Sequence, residues 1–255
     1  MKLVIIGSGN VATVFGRKIL QAGDEIIQVV GRNAEATKDL ASDLNTAYTT
    51  NIPEINLLGD IYIVAVPDRF IGAVADQLKL DNKIIVHTAA AVSKEALAGS
   101  SPNYGVLYPL QTFRKEIRTM PMIPLMIDGS NDQTRERLIH FAAKWADSVT
   151  VANDEERLKL HVAAVFVNNF TNYLFTLAEE ICDINKLDFN ILKPLIKETI
   201  SRIETNRPVD VQTGPAIRKD FITIEKHRKI LENNMRGLQL YNVLTNSIIS
   251  FYDER

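Results

Sequence analysis

The chain opens on an unbroken apolar run at residues 3–6, and from there short apolar runs alternate with helix-spaced apolar stripes. Fully apolar runs of this length are what strands buried on both faces require. The pattern predicts strands at residues 3–6, 25–30, 61–66, 83–87, 106–108, 124–127 and 148–151. Between them it predicts helices at 11–22, 34–44, 70–78 and 132–146. Alternation at this spacing implies an α/β fold, a doubly wound parallel sheet with helices on both faces. Beyond residue 152 the period changes to that of helices alone, at 155–184, 191–206, 215–233 and 236–252. The second part is therefore expected to be all-α. Residues 158–181 are apolar nearly all round, which predicts a helix buried on most sides. Residues 153–255 are too few to wrap it alone, so a partner subunit is expected to help cover it.

Glycine sharpens the division. Ten of the 12 glycines precede residue 153, and only Gly214 and Gly237 follow it. Glycine serves turns and close backbone approach and weakens helix interiors. The expected domains are 1–152 and 153–255, joined near Asn153-Asp154. With 255 residues, a formal net charge of −2 and one cysteine, the chain has no disulfide framework, no cysteine-based zinc site and no basic surface calling for nucleic acid. No metal site is predicted. Residues 3–6 are too short for a secretory core. The longest apolar-rich run, 160–178, holds His161, Asn168, Asn169 and Asn172, each costly in hydrocarbon. A cytoplasmic protein is expected.

The chemistry begins at Gly7-Ser8-Gly9-Asn10-Val11-Ala12, the G-x-G-x-x-A form of the dinucleotide fingerprint, placed between a strand and a helix as that fingerprint requires. Gly7 permits the turn, Gly9 lets the backbone approach a pyrophosphate, and Ala12 keeps the helix close to the strand. Free N–H groups at the helix start then face the phosphates. The second strand ends at Val29-Val30-Gly31-Arg32-Asn33, without the acidic residue that accepts from an NAD ribose. Arg32 can pair with a 2′-phosphate instead, so NADP is the expected cofactor ahead of NAD. Val66-Pro67-Asp68 and His87-Thr88-Ala89-Ala90 end the next two strands, where ligands of parallel sheets bind. Asp68 is read as a helix cap and His87 as a structural histidine.

In the helical part, His161, Val165, Asn168 and Asn172 recur at steps of 4, 3 and 4. Two readings fit: they line a cleft, with His161 as general acid because imidazole titrates near neutrality, or they form a buried hydrogen-bond network or subunit contact. In Gln212-Thr213-Gly214-Pro215, Thr213 or Gly214 can cap a helix that Pro215 begins. Arg218 and Asp220 then lie off its apolar stripe, reaching either an anionic substrate or solvent.

Together these residues resemble a bacterial family of predicted oxidoreductases that joins a Rossmann-like NAD(P)-binding domain to a C-terminal helical domain of unknown function. The resemblance covers essentially the whole chain. It rests on the glycine loop, on Tyr108-Pro109-Leu110-Gln111-Thr112-Phe113, on His161-Val-Ala-Ala-Val-Phe-Val-Asn168-Asn169-Phe170, and on Gln212-Thr213-Gly214-Pro215 with Arg218 and Asp220. The wider group is similar to pyrroline-5-carboxylate reductase, ketopantoate reductase and the 6-phosphogluconate dehydrogenase superfamily. That resemblance implies NADP-linked hydride transfer to a small C=O or C=N metabolite, with the helical domains forming a homodimer. It puts the nicotinamide near Val66, Pro67, Thr88 and Ala89. Substrate is expected near Gln111, Thr112, Arg218 and Asp220, with His161 and Asn168 as the catalytic pair. The chain departs from the family at Ala89-Ala90, usually Ser-Gly, and at Tyr108, usually His. It also lacks the Lys-x-x-x-Asn pair of the hydroxyacid dehydrogenases, since Ala163 follows Lys159. A non-catalytic NADP-binding dimer, a sensor or partner-binding protein, is the alternative those departures favour.

Overall fold

The computed structural model describes residues 1–116 and 121–255. It divides into two compact units, Met1–Val167 and Asn168–Arg255.

The first unit is built on eight strands: β1 (Lys2–Ile6), β2 (Glu25–Val30), β3 (Ala47–Thr49), β4 (Ile61–Val64), β5 (Ile84–His87), β6 (Asn103–Pro109), β7 (Pro124–Gly129) and β8 (Ser148–Val151). They form one sheet in the order β3-β2-β1-β4-β5-β6-β7-β8. Helices α1 (Asn10–Gln21), α2 (Ala34–Asp43), α3 (Ile71–Ala75) and α4 (Asp132–Ala142) connect them. The apolar runs bury both faces because side chains alternate along a strand. On β1, Leu3 and Ile5 join one core with α1, α2 and α4, while Val4 and Ile6 join another with α3. In the first core Phe15 meets Phe113 and Trp145 edge to face, and Trp145 meets Phe141 likewise.

Two features of the sheet differ from the expected pattern. β6 and β7 pair antiparallel, with Leu107 opposite Ile127, so the sheet is mixed rather than wholly parallel. A parallel partner needs a crossover, usually a helix, and the described part of the β6–β7 connection supplies none. β3 is an added edge strand of three residues, Ala-Tyr-Thr, too short to show a period.

The first unit runs on into α5 (Asp154–Ala164), which Asn153 and Glu156 start with a reciprocal capping box. A π-helical stretch, Val165–Phe170, follows, and then α6 (Thr171–Ile184). The division between the units falls inside the π-helical stretch. The second unit adds α7 (Lys193–Thr205), α8 (Phe221–Ile230) and α9 (Met235–Asp253). α8 does not start at Pro215. Asp220 caps it, accepting from the Thr223 backbone N–H at 3.0 Å and the Thr223 hydroxyl at 2.7 Å. A carboxylate cap outcompetes Pro215, because it satisfies a free helix N–H that proline only tolerates. The expectation of an all-round buried helix also fails within one chain. Val162 and Val167 at the end of the first unit and Phe170 and Tyr173 in the second are exposed in the single chain. Among the described residues no helix is long and apolar enough to cross a membrane.

Candidate functional site

Gly7 sits at φ +128°, a conformation side chains rarely adopt, and a Cβ there would lie 2.1 Å from the Ala65 carbonyl oxygen. The chain can turn out of β1 so close to β4 only with glycine. Its N–H donates to the Val30 carbonyl at 2.8 Å, fixing the turn against β2 as well. Gly9 is the N-cap of α1, with no side chain bonded to the helix start, and a Cβ there would meet nothing within 4 Å. That open space faces free N–H groups with the polarity an anion needs. Ala12 is buried in the core behind the loop. Val11 packs against that core, and the Asn10 side chain accepts from the Lys115 N–H at 3.3 Å, tying the loop to the segment after β6.

Ahead of this turn lies a cavity of about 490 Å³ at the carboxyl ends of β1, β2 and β4. It brings together Gly7, Ser8 and Gly9 with Arg32 and with Val66 and Pro67. Ile52, Phe70 and Val74 supply apolar walls, and Thr50, Asn51 and Gln77 supply polar groups. A cavity with apolar walls, a cation and a glycine turn among its lining fits the adenosine half of a dinucleotide. A larger depression, about 770 Å³, surrounds Lys2, Glu25 and Ala47 at the amino ends of β1, β2 and β3. It has no glycine turn and lies at the end of the sheet away from the ligand side.

Thr88 and Ala89 follow β5, the strand beyond β4, and do not line the cavity. His87 ends that strand. It is fully buried, and its Nδ1 accepts from the Ala89 N–H at 3.2 Å. Burial, reinforced by the charge of Arg157, lowers its pKa to about 4. His87 is therefore neutral at pH 7 and shapes the loop rather than donating protons. Arg157, at 1% exposure, holds the far side of the same loop. Its Nε donates to the Ala90 carbonyl at 3.1 Å and its Nη2 to the Val92 carbonyl and to Asp154, each at 2.7 Å. Burial pushes the Asp154 carboxyl up, but hydrogen bonds from Ser93 and Arg157 outweigh it and hold the group below the ordinary range.

One pair of titratable groups is brought together across 53 positions. The Tyr108 hydroxyl, on β6, lies 2.9 Å from Nδ1 of His161, on α5. Burial raises the pKa of Tyr108, with Arg157 lowering it and Asp68 raising it by lesser amounts. The phenol stays protonated at neutral pH, and it can donate to Nδ1 or accept from it according to which ring nitrogen carries hydrogen. Gln111 is turned into its own segment: its Nε2 donates to the Met122 carbonyl at 3.0 Å and its Oε1 accepts from the Thr112 N–H at 2.9 Å. Asn168, Arg218 and Asp220 belong to the second unit. Asn168 lies in the π-helical stretch, which breaks the uniform helical register that the 4-3-4 spacing from His161 assumed. Arg218 is exposed, and the Asp220 carboxylate is occupied with its helix cap.

Comparison with known proteins gives this geometry a family. Residues 2–91 match the family model described as NADP oxidoreductase, coenzyme F420-dependent, and residues 123–248 match a domain of unknown function. A Bacteroides fragilis structure described as a candidate NADP oxidoreductase is 34% identical over 98% of both chains, with a TM-score of 0.90. The chain belongs to this NADP oxidoreductase family. Beyond it the likeness is of fold. The 1-pyrroline-5-carboxylate reductase of Streptococcus pyogenes is 14% identical over 98% of both chains, TM-score 0.65. An imine reductase of Myxococcus stipitatus, in complex with NADP+, is 15% identical over 100% of this chain and 93% of its own, TM-score 0.66. No protein with a curated description matches the sequence.

For a family member, the residues that sequence reasoning missed are Arg157 and Tyr108. Arg157 stands behind Asp154, Glu155 and Glu156, a setting that reads as a solvated helix start. Tyr108 carried a signal, its replacement of the family's usual histidine, but not its partner.

Proposed function

We propose that this NADP oxidoreductase reduces a small C=N or C=O metabolite with NADPH. The observation that carries the reading is the cavity in which the Gly7 turn, Arg32 and the Val66-Pro67 segment meet at the carboxyl ends of the strands. The backbone of Gly7 to Ala12 would hold the pyrophosphate and Arg32 the 2′-phosphate. Val66, Pro67, Thr88 and Ala89 would flank the nicotinamide ring. When bound, NADPH supplies the hydride.

The protein's own part is orientation and one proton. His87 and Arg157, both buried, fix the loop that carries Thr88 and Ala89 through bonds to Ala89, Ala90 and Val92, so a bound ring would meet a rigid wall. His161, once doubly protonated, would donate the proton from Nε2 and return to the neutral imidazole, with the Tyr108 hydroxyl paired to Nδ1 and so fixing the ring's direction. C=N substrates are favoured by the fold neighbours, whose described activities are pyrroline-carboxylate and imine reduction. We also propose that two copies associate through the second unit, where Ile191 and Ile222 leave about three quarters of their surfaces exposed.

The test is NADPH oxidation across a panel of cyclic imines, keto acids and aldehydes. His161→Ala should lower turnover of an accepted substrate about 100-fold while leaving NADPH affinity unchanged. Tight NADPH binding with no turnover on any substrate would favour the non-catalytic alternative, for which Ala89 and Ala90 are the motivating residues.

A further inference from the structure

Arg32 does not stand alone at the adenosine end. Phe70 forms part of the cavity wall, and two guanidiniums lie over its ring. The Arg32 and Arg69 Cζ atoms are each 4.8 Å from the ring centroid, so the two charges are at most twice that distance apart. They arrive from different elements. Arg32 follows β2 and Arg69 sits in the short turn Asp68–Phe70 after β4, with β1 between those two strands. Among the described residues neither has a carboxylate within ion-pair distance. The ring face offers each cation a weak attraction, which positions them without neutralising them. Arg32 lines the cavity itself and Arg69 is tied to it through the shared ring; two like charges on that ring, with no counter-charge within ion-pair distance among the described residues, form a complement to an anion.

We propose that Arg69 is a second specificity-determining residue for the 2′-phosphate of NADP. Arg32 and Arg69, both seated on Phe70, clamp that phosphate between them. The proposal rests on the cofactor reading given above and adds to it. A guanidinium matches phosphate oxygens in a planar fork, and two of them facing one dianion separate NADP from NAD more steeply than one does. Phe70 does this without touching the phosphate, since it is the shared surface that holds both forks in place.

The test is calorimetric titration of the full chain with NADP+ and with NAD+, in wild type and in Arg32→Ala, Arg69→Ala and Phe70→Leu. Wild type should prefer NADP+. Arg69→Ala should weaken NADP+ roughly tenfold and leave NAD+ unchanged, as should Arg32→Ala. Phe70→Leu, which keeps both charges but removes their platform, should lose part of the preference. An Arg69→Ala variant that keeps full NADP+ affinity while Arg32→Ala loses it would overturn the clamp and leave a single-arginine site. Equal weakening of both dinucleotides would also overturn it, because Arg69 would then act on the part they share. Wild-type protein that shows no preference for NADP+ overturns the cofactor reading itself, a result visible before any variant is made.

Discussion

In Met1–Val167 most of the large apolar side chains of the sheet and its covering helices lie inside, and several exposed ones, such as Leu58 and Val167, lie off the sheet. Leu3, Ile5, Phe15, Ile63, Val86 and Leu107 have no exposed surface and belong to one continuous core, and Val4, Val64 and Ile85, equally buried, belong to a second on the other face of the sheet. In Asn168–Arg255 many of them lie outside: Ile191, Leu195, Ile222, Ile230 and Val243 are all exposed, while only a few, such as Leu177 and Ile224, are buried. The difference follows from architecture. Crossover connections lay helices on both faces of a mostly parallel sheet, so such a unit closes its own core. Helices without a sheet must find one another's stripes, and apolar faces left over call for another surface. The first unit thus closes its own cores, whereas the second leaves apolar faces uncovered, the observation behind the proposed association of two copies.

The comparison can be broken most severely through pH. His87 is buried inside the first unit, with its pKa lowered to about 4 from 6.5 by burial and by Arg157. The unfolded chain therefore binds a proton that the folded unit refuses between those values. Stability is complete above about pH 6.5 and is lost as pH falls towards 4, by about 3 kcal/mol in all. Asp24 and Asp154, held below their ordinary 3.8, act only at still lower pH. The chain has one tryptophan, Trp145, and it is buried in the first unit's core. Urea unfolding followed by its fluorescence should show this pH slope in wild type and a flattened slope in His87→Asn. Parallel slopes in the two proteins would mean that His87 does not control the first unit's acid response.

How much of this was legible beforehand depends on the range of the interactions concerned. β2 and β8 fall on the residues the apolar pattern marks, because their signal is local. The glycine turn is legible for the same reason: Gly7, Gly9 and Ala12 are set by contacts within one β-turn-α unit and its neighbouring strand. The antiparallel turn of β7 is not local, since strand direction depends on what the preceding connection contains. The pairing of Tyr108 with His161 spans β6 and α5 and leaves no periodic trace. Arg157 shows the same limit. Its burial is decided by the Ala90 and Val92 carbonyls, residues far away in the chain. The π-helical stretch at Val165–Phe170 is another case, because nothing in a run of apolar residues and asparagines marks a change from one helical pitch to another.

A smaller effect sharpens the second half of the comparison. Ile222 on α8 is 75% exposed in the single chain. If water covers that face, Ile222→Glu changes stability by less than about 0.5 kcal/mol. If a second copy covers it, the carboxylate must be buried at the contact, and self-association weakens by about 2 kcal/mol, roughly thirtyfold. Light scattering on a size-exclusion column should show wild type as a dimer and the variant shifting to monomer on dilution. The Trp145 unfolding midpoint should stay unchanged, because the first unit's core does not involve α8. A wild-type protein that is monomeric at micromolar concentration would remove the contrast between the two units.

The smallest effect separates two uses of one carboxylate. Asp220 accepts both the backbone N–H and the hydroxyl of Thr223, and those bonds lower its pKa against the small opposing effect of burial. As a cap, its side-chain oxygen is what matters; as a substrate ligand, its charge would be. Asparagine keeps the oxygen and removes the charge, and alanine removes both. Asp220→Asn should therefore leave the melting temperature nearly unchanged, and Asp220→Ala should lower it by a few degrees, with KM for an accepted substrate equal in all three proteins. A rise in KM shared by the asparagine and alanine variants would show that the charge does more than start α8. It would move Asp220 from the second unit's scaffold to its chemistry.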